Sequence, residues 1–269
     1  MSSTTPTPPP SSLTERRKAE TRMEIARVAA GLFVRHGLRA TRAEDIAQAA
    51  GIAPRTFYRY FATKEEAVAP LYATGAQRWV EAVRAAPSDA GVLRALEDGV
   101  HRTLTPGVGV SVSSWEWVRT LLRLAEATPS LGRVWAEVCQ ASERRLGEVL
   151  AERVTRAGAS GGGGVSETGG AGTGGAGTGG AETGRAGTGR ASGVGGGSGT
   201  SRAGDNVAVA GEALVITPEI RFAAAVAGAA VRAALEAWAA GDGPVEGPDG
   251  PVELALRNLA ALRDFPWGQ

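Results

Sequence analysis

Residues 41–64 constrain this chain most, because apolar spacing, a glycine and a proline there agree on two short helices joined by a tight turn. Thr41 followed by Glu44 reads as a capping box, and Ile46, Ala47 and Ala50 then supply one apolar face. Gly51 suits the left-handed conformation that ends a helix and redirects the chain. Pro54 fits the first turn of the next helix, where its missing N–H would have no intrahelical partner. Phe57 and Phe61, four apart, turn inward and leave Arg55, Thr56, Arg59 and Tyr60 facing outward. Thr63 and Glu66 repeat the capping-box pattern and start a further helix. A small helix presenting arginine, threonine and tyrosine suits DNA recognition, since arginine reads guanine edges and hydroxyls bind phosphate. An ordinary three-helix bundle with a charged face would carry the same residues, so the neighbouring segments decide.

Those neighbours include Thr21, Arg22, Ile25, Val28, Ala29, Leu32, Phe33 and Gly37. With Asp45-Ile46-Ala47, Ala50-Gly51-Ile52, Thr56-Phe57-Tyr58-Arg59-Tyr60-Phe61 and Thr63-Lys64-Glu65, they resemble the DNA-binding domain of TetR-family regulators over residues 14–66. The resemblance implies DNA contacts from Arg42, Arg55, Thr56, Tyr58, Arg59, Tyr60 and Lys64. By position, Arg55 would read bases, while Thr56, Tyr58, Tyr60 and Lys64 would hold phosphates. Two departures stand out: Ala53 replaces the family's usual serine cap, and Arg42 replaces the second of a threonine pair. The resemblance further implies a homodimer on a palindromic double-stranded DNA operator, with a small-molecule cavity in the helical body.

Charge distribution agrees with a DNA-facing N-terminal module. Residues 14–65 hold 11 Lys and Arg against 6 Asp and Glu, whereas the remainder holds 18 against 22. A basic module on a mildly acidic body fits one nucleic-acid face rather than general polyanion binding. Arg16, Arg17, Lys18 and Arg22 crowd the start of the first helix, against its dipole. A DNA backbone or minor groove would justify them, and so would a solvated basic end.

Cys139 is the only cysteine, so no intrachain disulfide exists and a reducing, cytoplasmic setting is expected. No stretch approaches 18 consecutive apolar residues, so no membrane partner is expected. Residues 1–13, rich in Ser, Thr and Pro, lack a signal-peptide apolar core and are expected to be a disordered tail.

The expected fold is all-α, an N-terminal three-helix domain followed by a helical bundle, because no strand pattern occurs anywhere. Helices are expected over 14–36, 64–84, 89–104, 114–127, 129–156, 217–240 and 251–263. Pro70 should kink the second of these or split off a short first turn. The body comprises residues 67–156 and 214–265, interrupted by 157–213. That insert repeats Gly169-Gly-Ala-Gly-Thr173 and its variants, with almost no large apolar side chain. Nothing there offsets the entropy of ordering glycine, so a disordered linker is expected, not a phosphate loop.

No catalytic constellation emerges, and an enzyme, a metal site and a cofactor are all set aside. His36 and His101 are the only histidines and match no metal or triad spacing. His36 suits a helix-dipole role, and Cys139 beside Val138 reads as a packed core thiol. Trp79, Trp115, Leu122, Trp135 and Phe222 are the candidate lining of an apolar ligand cavity, with core packing as the alternative for each. The expectation is a DNA-binding regulator, a repressor released by a small apolar ligand. An activator, a ligand-independent DNA-binding protein and a helix-turn-helix used for protein contacts also fit the body.

Overall fold

The computed structural model describes residues 13–108, 112–161 and 215–267, and no β-strand occurs among them. Helix α1, Leu13–His36, buries Ile25, Ala29 and Phe33 along one face. The chain then turns at Gly37 (φ +80°) into α2, Ala43–Ala49, and α3, Pro54–Tyr60. Gly51 takes φ +68° between α2 and α3, as its place in the turn requires. The cap of α2 lies one residue later than expected. Thr41 is buried and donates its hydroxyl to the Gly37 carbonyl at 2.9 Å, while Asp45 accepts the Arg42 N–H at 2.8 Å. Thr41 therefore tethers the incoming loop, and the acidic residue at 45 does the capping that Glu44 was assigned.

After α3 the chain makes a 3₁₀ turn, Glu65–Val68, before α4, Ala69–Arg84. The Thr63 hydroxyl accepts the Glu66 N–H at 3.3 Å, and the Glu66 carboxylate accepts the Ala62 N–H at 3.0 Å. Pro70 sits in the first turn of α4, where no N–H is needed. It therefore marks the break between the short turn and α4 and does not interrupt the helix interior.

The body consists of α5 (Val92–Leu104), α6 (Val112–Ala127), α7 (Pro129–Gly161), α8 (Pro218–Ala240) and α9 (Pro251–Ala260). Helix α7 runs past Arg156 to Gly161, so the expected insert boundary at 157 moves outward. The rest of that insert, like the expected tail at 1–12, lies outside the described residues. Thr217 caps α8 by accepting the Ile220 N–H at 3.3 Å. Against the expectation, α8 is long and apolar enough to span a bilayer by length and composition. In this fold it is a core helix: Ile220, Ala224, Ala227, Val231 and Trp238 are buried and α8 packs between α7 and α9.

The described residues fall in one compact unit. Ile25, Phe33, Ile46, Phe57 and Phe61 share a continuous apolar cluster with Tyr72 of α4, Leu121 of α6 and Leu131 and Val134 of α7. The boundary expected near residue 66 is thus not a break in packing. A second cluster joins Trp79, Val83, Leu96, Leu146, Leu150, Ala227 and Leu259 in the body. Arg153 of α7 staples the α4–α5 connection, donating to the carbonyls of Ala86 (2.9 Å), Pro87 (2.7 Å) and Ala90 (2.8 Å). Burial holds the Arg153 guanidinium below its usual range, with Arg156 adding to the effect.

Candidate nucleic-acid interface and body cavity

Helix α3 has only seven residues, too few to persist alone, so its orientation depends on what it rests against. Phe57 is fully buried and Phe61 nearly so, with ring centroids 5.7 Å apart. This leaves Arg55, Tyr58 and Arg59 exposed, whereas Thr56 and Tyr60 are half-buried. Arg59 lies over the Tyr60 ring at 5.4 Å. Tyr58 donates to Glu44 at 3.4 Å, and Glu44 also pairs with Arg42 at 3.6 Å. The Arg42 side chain remains largely exposed, so Arg42, Arg55, Tyr58 and Arg59 share the surface made by α2 and α3. Ala53 makes no side-chain cap at the start of α3.

Lys64, expected at DNA, and Arg22, left open between DNA and solvent, both make hydrogen bonds within the protein. Lys64 donates its ammonium to the carbonyls of Leu38 (2.6 Å) and Thr41 (2.8 Å), which closes the loop between α1 and α2. Arg22 donates to the Tyr60 carbonyl at 3.0 Å and lies over the Phe61 ring at 4.7 Å. That contact places a cation on the negative end of α3. Neither role has a local signal, since the partners are 23 to 38 residues away. Lys64→Ala is therefore expected to cost about 1.5–3 kcal/mol of folding stability. The salt dependence of DNA binding should stay unchanged, as thermal melts and titrations at two salt concentrations would register. A flattened salt slope with unchanged melting would restore Lys64 to the phosphate contacts.

The body holds a partly open cavity of about 150 Å³ between α4, α5, α6, α7 and α8. Trp79, Trp115, Leu122 and Trp135 line it, as do Tyr72, Val118 and Val231. Phe222 does not: it is 62% exposed on the outer face of α8, packed on Phe265 with centroids 5.6 Å apart. Cys139 lines the cavity and is only partly buried, which corrects its reading as a core thiol. Burial pushes its pKa up to about 12 against the opposing pull of Arg232, so it stays a neutral thiol at physiological pH. Trp115 meets Trp238 edge-on at 5.2 Å, and Trp135 donates to Glu236 at 2.7 Å. Tyr72 bridges the cavity to the N-terminal helices, because its hydroxyl donates to the Leu121 carbonyl at 3.0 Å within their shared cluster. No group of three or more His, Cys, Asp or Glu among the described residues is placed to hold a metal ion.

Residues 25–69 match the family described as bacterial regulatory proteins, tetR family. The chain is 31% identical over 159 residues to the HTH-type transcriptional regulator TcmR of Streptomyces glaucescens, covering 56% of this chain and 68% of that protein. It is 47% identical over 62 residues to the HTH-type transcriptional repressor KstR2 of Rhodococcus jostii (strain RHA1), covering 23% and 30%. A solved structure titled as a putative TetR-family transcriptional regulator from Mesorhizobium loti aligns over 91% of this chain and 96% of that chain, with 18% identity and a TM-score of 0.46.

Proposed function

Because the chain belongs to the tetR family of bacterial regulatory proteins and is a DNA-binding regulator, we propose that it is a homodimeric repressor of a palindromic operator, released by a small apolar ligand. The observation that carries the DNA-reading half is the exposed set Arg42, Arg55, Tyr58 and Arg59 on α2 and α3, seated by the fully buried Phe57. Arg55 near the start of α3 is the base reader, and Thr56, Tyr58 and Tyr60 supply hydroxyls to the backbone. Arg55→Ala is expected to lose about 1–3 kcal/mol at one base pair and to bind shuffled DNA as before. Gel shifts of both proteins on the DNA upstream of the chain's own gene, and on shuffled DNA, measure this. Equal losses on the two DNAs would remove the base-reading role.

A dimer is supported by the outer face of α8. Phe222, Ala225, Val226, Ala229, Ala233 and Ala237 recur there at helical spacing, none charged and none fully buried. Small side chains on such a strip let a second helix approach closely.

Release by a ligand is supported by the cavity and by its connection to the DNA-facing helices. Tyr72 and Trp79 lie on α4, which carries the cavity wall directly into the 3₁₀ turn behind α3. A ligand that favours one α4 position changes the separation of the two recognition helices in a dimer. That separation must match successive major-groove faces, about 34–36 Å apart or a multiple of that. Adding a screened apolar ligand to the wild-type DNA titration tests the reading. A ligand that saturates the cavity without moving the DNA isotherm would make the protein ligand-independent.

A further inference from the structure

Six buried side-chain polar atoms among the described residues have no hydrogen-bond partner, and four of them belong to residues lining the cavity. These are Trp79 Nε1, Trp115 Nε1, Ser142 Oγ and Arg232 Nε. The other two, Arg119 Nε and Arg153 Nε, belong to guanidiniums whose terminal nitrogens are bound to carbonyls. An unmade buried donor is costly, and native folds keep few of them. Trp79 Nε1 packs against Gly99, outside the lining, 3.2 Å from where a Cβ there would sit, which leaves Trp115 Nε1, Ser142 Oγ and Arg232 Nε to be accounted for at the cavity.

The chemistry of the four is one-sided. Both indoles and the guanidinium are donors only, and serine serves either way. The partner they lack is an acceptor, and the one carboxylate on the wall, Glu143, is bonded to none of these four atoms. Arg232 stands beside the single carboxylate on the wall, that of Glu143. Glu143 packs against Gly228, one helical turn from Arg232, with its Cγ 2.7 Å from where a Cβ on Gly228 would sit. Burial pushes the Glu143 carboxyl up while Arg232 beside it pulls it back.

We infer that the cavity takes an apolar, ring-bodied organic acid, with its anionic oxygens on Arg232 and Ser142 and its ring among the tryptophans. This rests on the ligand-release reading above and specifies the ligand's chemistry. Burying a carboxylate is costly, and fixed donors already stripped of water are what offset that cost. A cavity of about 150 Å³ suits a small ring without rearrangement.

The test compares three probes of similar shape on the wild-type protein by tryptophan fluorescence titration: 4-ethylbenzoate, the neutral acceptor 4′-ethylacetophenone, and acceptor-free 4-ethyltoluene. The benzoate should bind at least about tenfold more tightly than the toluene, with the ketone between them. Arg232→Met should abolish the preference for the benzoate and leave toluene affinity unchanged. Ser142→Ala should reduce the preference without abolishing it. The wild-type series decides the ligand class even if a variant fails to fold. If 4-ethyltoluene binds as tightly as 4-ethylbenzoate, the acid is wrong and the apolar-ligand reading stands. A benzoate preference retained by folded Arg232→Met protein overturns the role of Arg232. No saturable signal from any probe overturns both the acid and the ligand cavity.

Discussion

Phe57→Ala is expected to destabilise the protein by about 3–5 kcal/mol and to abolish specific DNA binding. Phe57 is fully buried, contacts Phe61, and anchors a helix of only seven residues. Its ring belongs to the same cluster as Phe33, Ile46, Tyr72 and Leu121, so a cavity there is felt on α1, α2, α4 and α6. A loss of this size is a large share of the stability of an ordinary domain. Circular dichroism melts and gel shifts on one preparation would show both effects. Native melting with lost binding would assign Phe57 to the DNA surface, against its burial.

Arg153→Ala should cost a comparable 3–5 kcal/mol, with a different functional outcome. The side chain is 5% exposed and its guanidinium is bonded to carbonyls across the α4–α5 connection. Truncation removes the donors and leaves several of those carbonyls unpaired at the C-terminal end of α4. No residue of α2 or α3 touches this staple, so protein that remains folded should keep its DNA affinity. Denaturant unfolding combined with a DNA titration below the melting point separates the two. Unchanged unfolding would mean that water replaces the guanidinium at little cost.

What the sequence disclosed follows the range of the interactions involved. Gly51, Pro54, Phe57 and Phe61 were legible because turns, first-turn prolines and i, i+4 apolar pairs act over a few residues. The same reasoning placed Thr217 at the cap of α8. The intramolecular bonds of Lys64 and Arg22 were not legible, because both lie in a basic segment whose overall charge is readable while their distant partners are not. Arg153 gave no signal, since its acceptors are backbone carbonyls more than 60 residues away. Phe222 was misplaced for another reason. Helix α8 is apolar on most sides, so helical periodicity could not separate its cavity-facing wall, Val231 and Leu235, from its outer strip. Trp79, Trp115 and Trp135 reached the cavity wall, yet their unmet donors became visible only with the fold in hand.

Size links the cavity to its proposed use. At about 150 Å³ it is smaller than the 300–1,000 Å³ typical of sites for drug-sized ligands. A larger ligand must push its walls apart, and two of those walls, α4 and α6, also pack against α1. Tyr72 and Leu121 join these two helices directly.

The most direct measurement is a paired titration of the wild-type protein on a fragment upstream of its own gene and on a base-shuffled fragment of equal length, at physiological salt, with footprinting of the bound fragment. The native fragment should bind at least about 10³-fold more tightly. The footprint should fall into two half-sites about one helical turn apart, as two copies of α3 on one duplex require. Equal affinity for both fragments, or a footprint without paired half-sites, would contradict a dimeric, sequence-reading repressor.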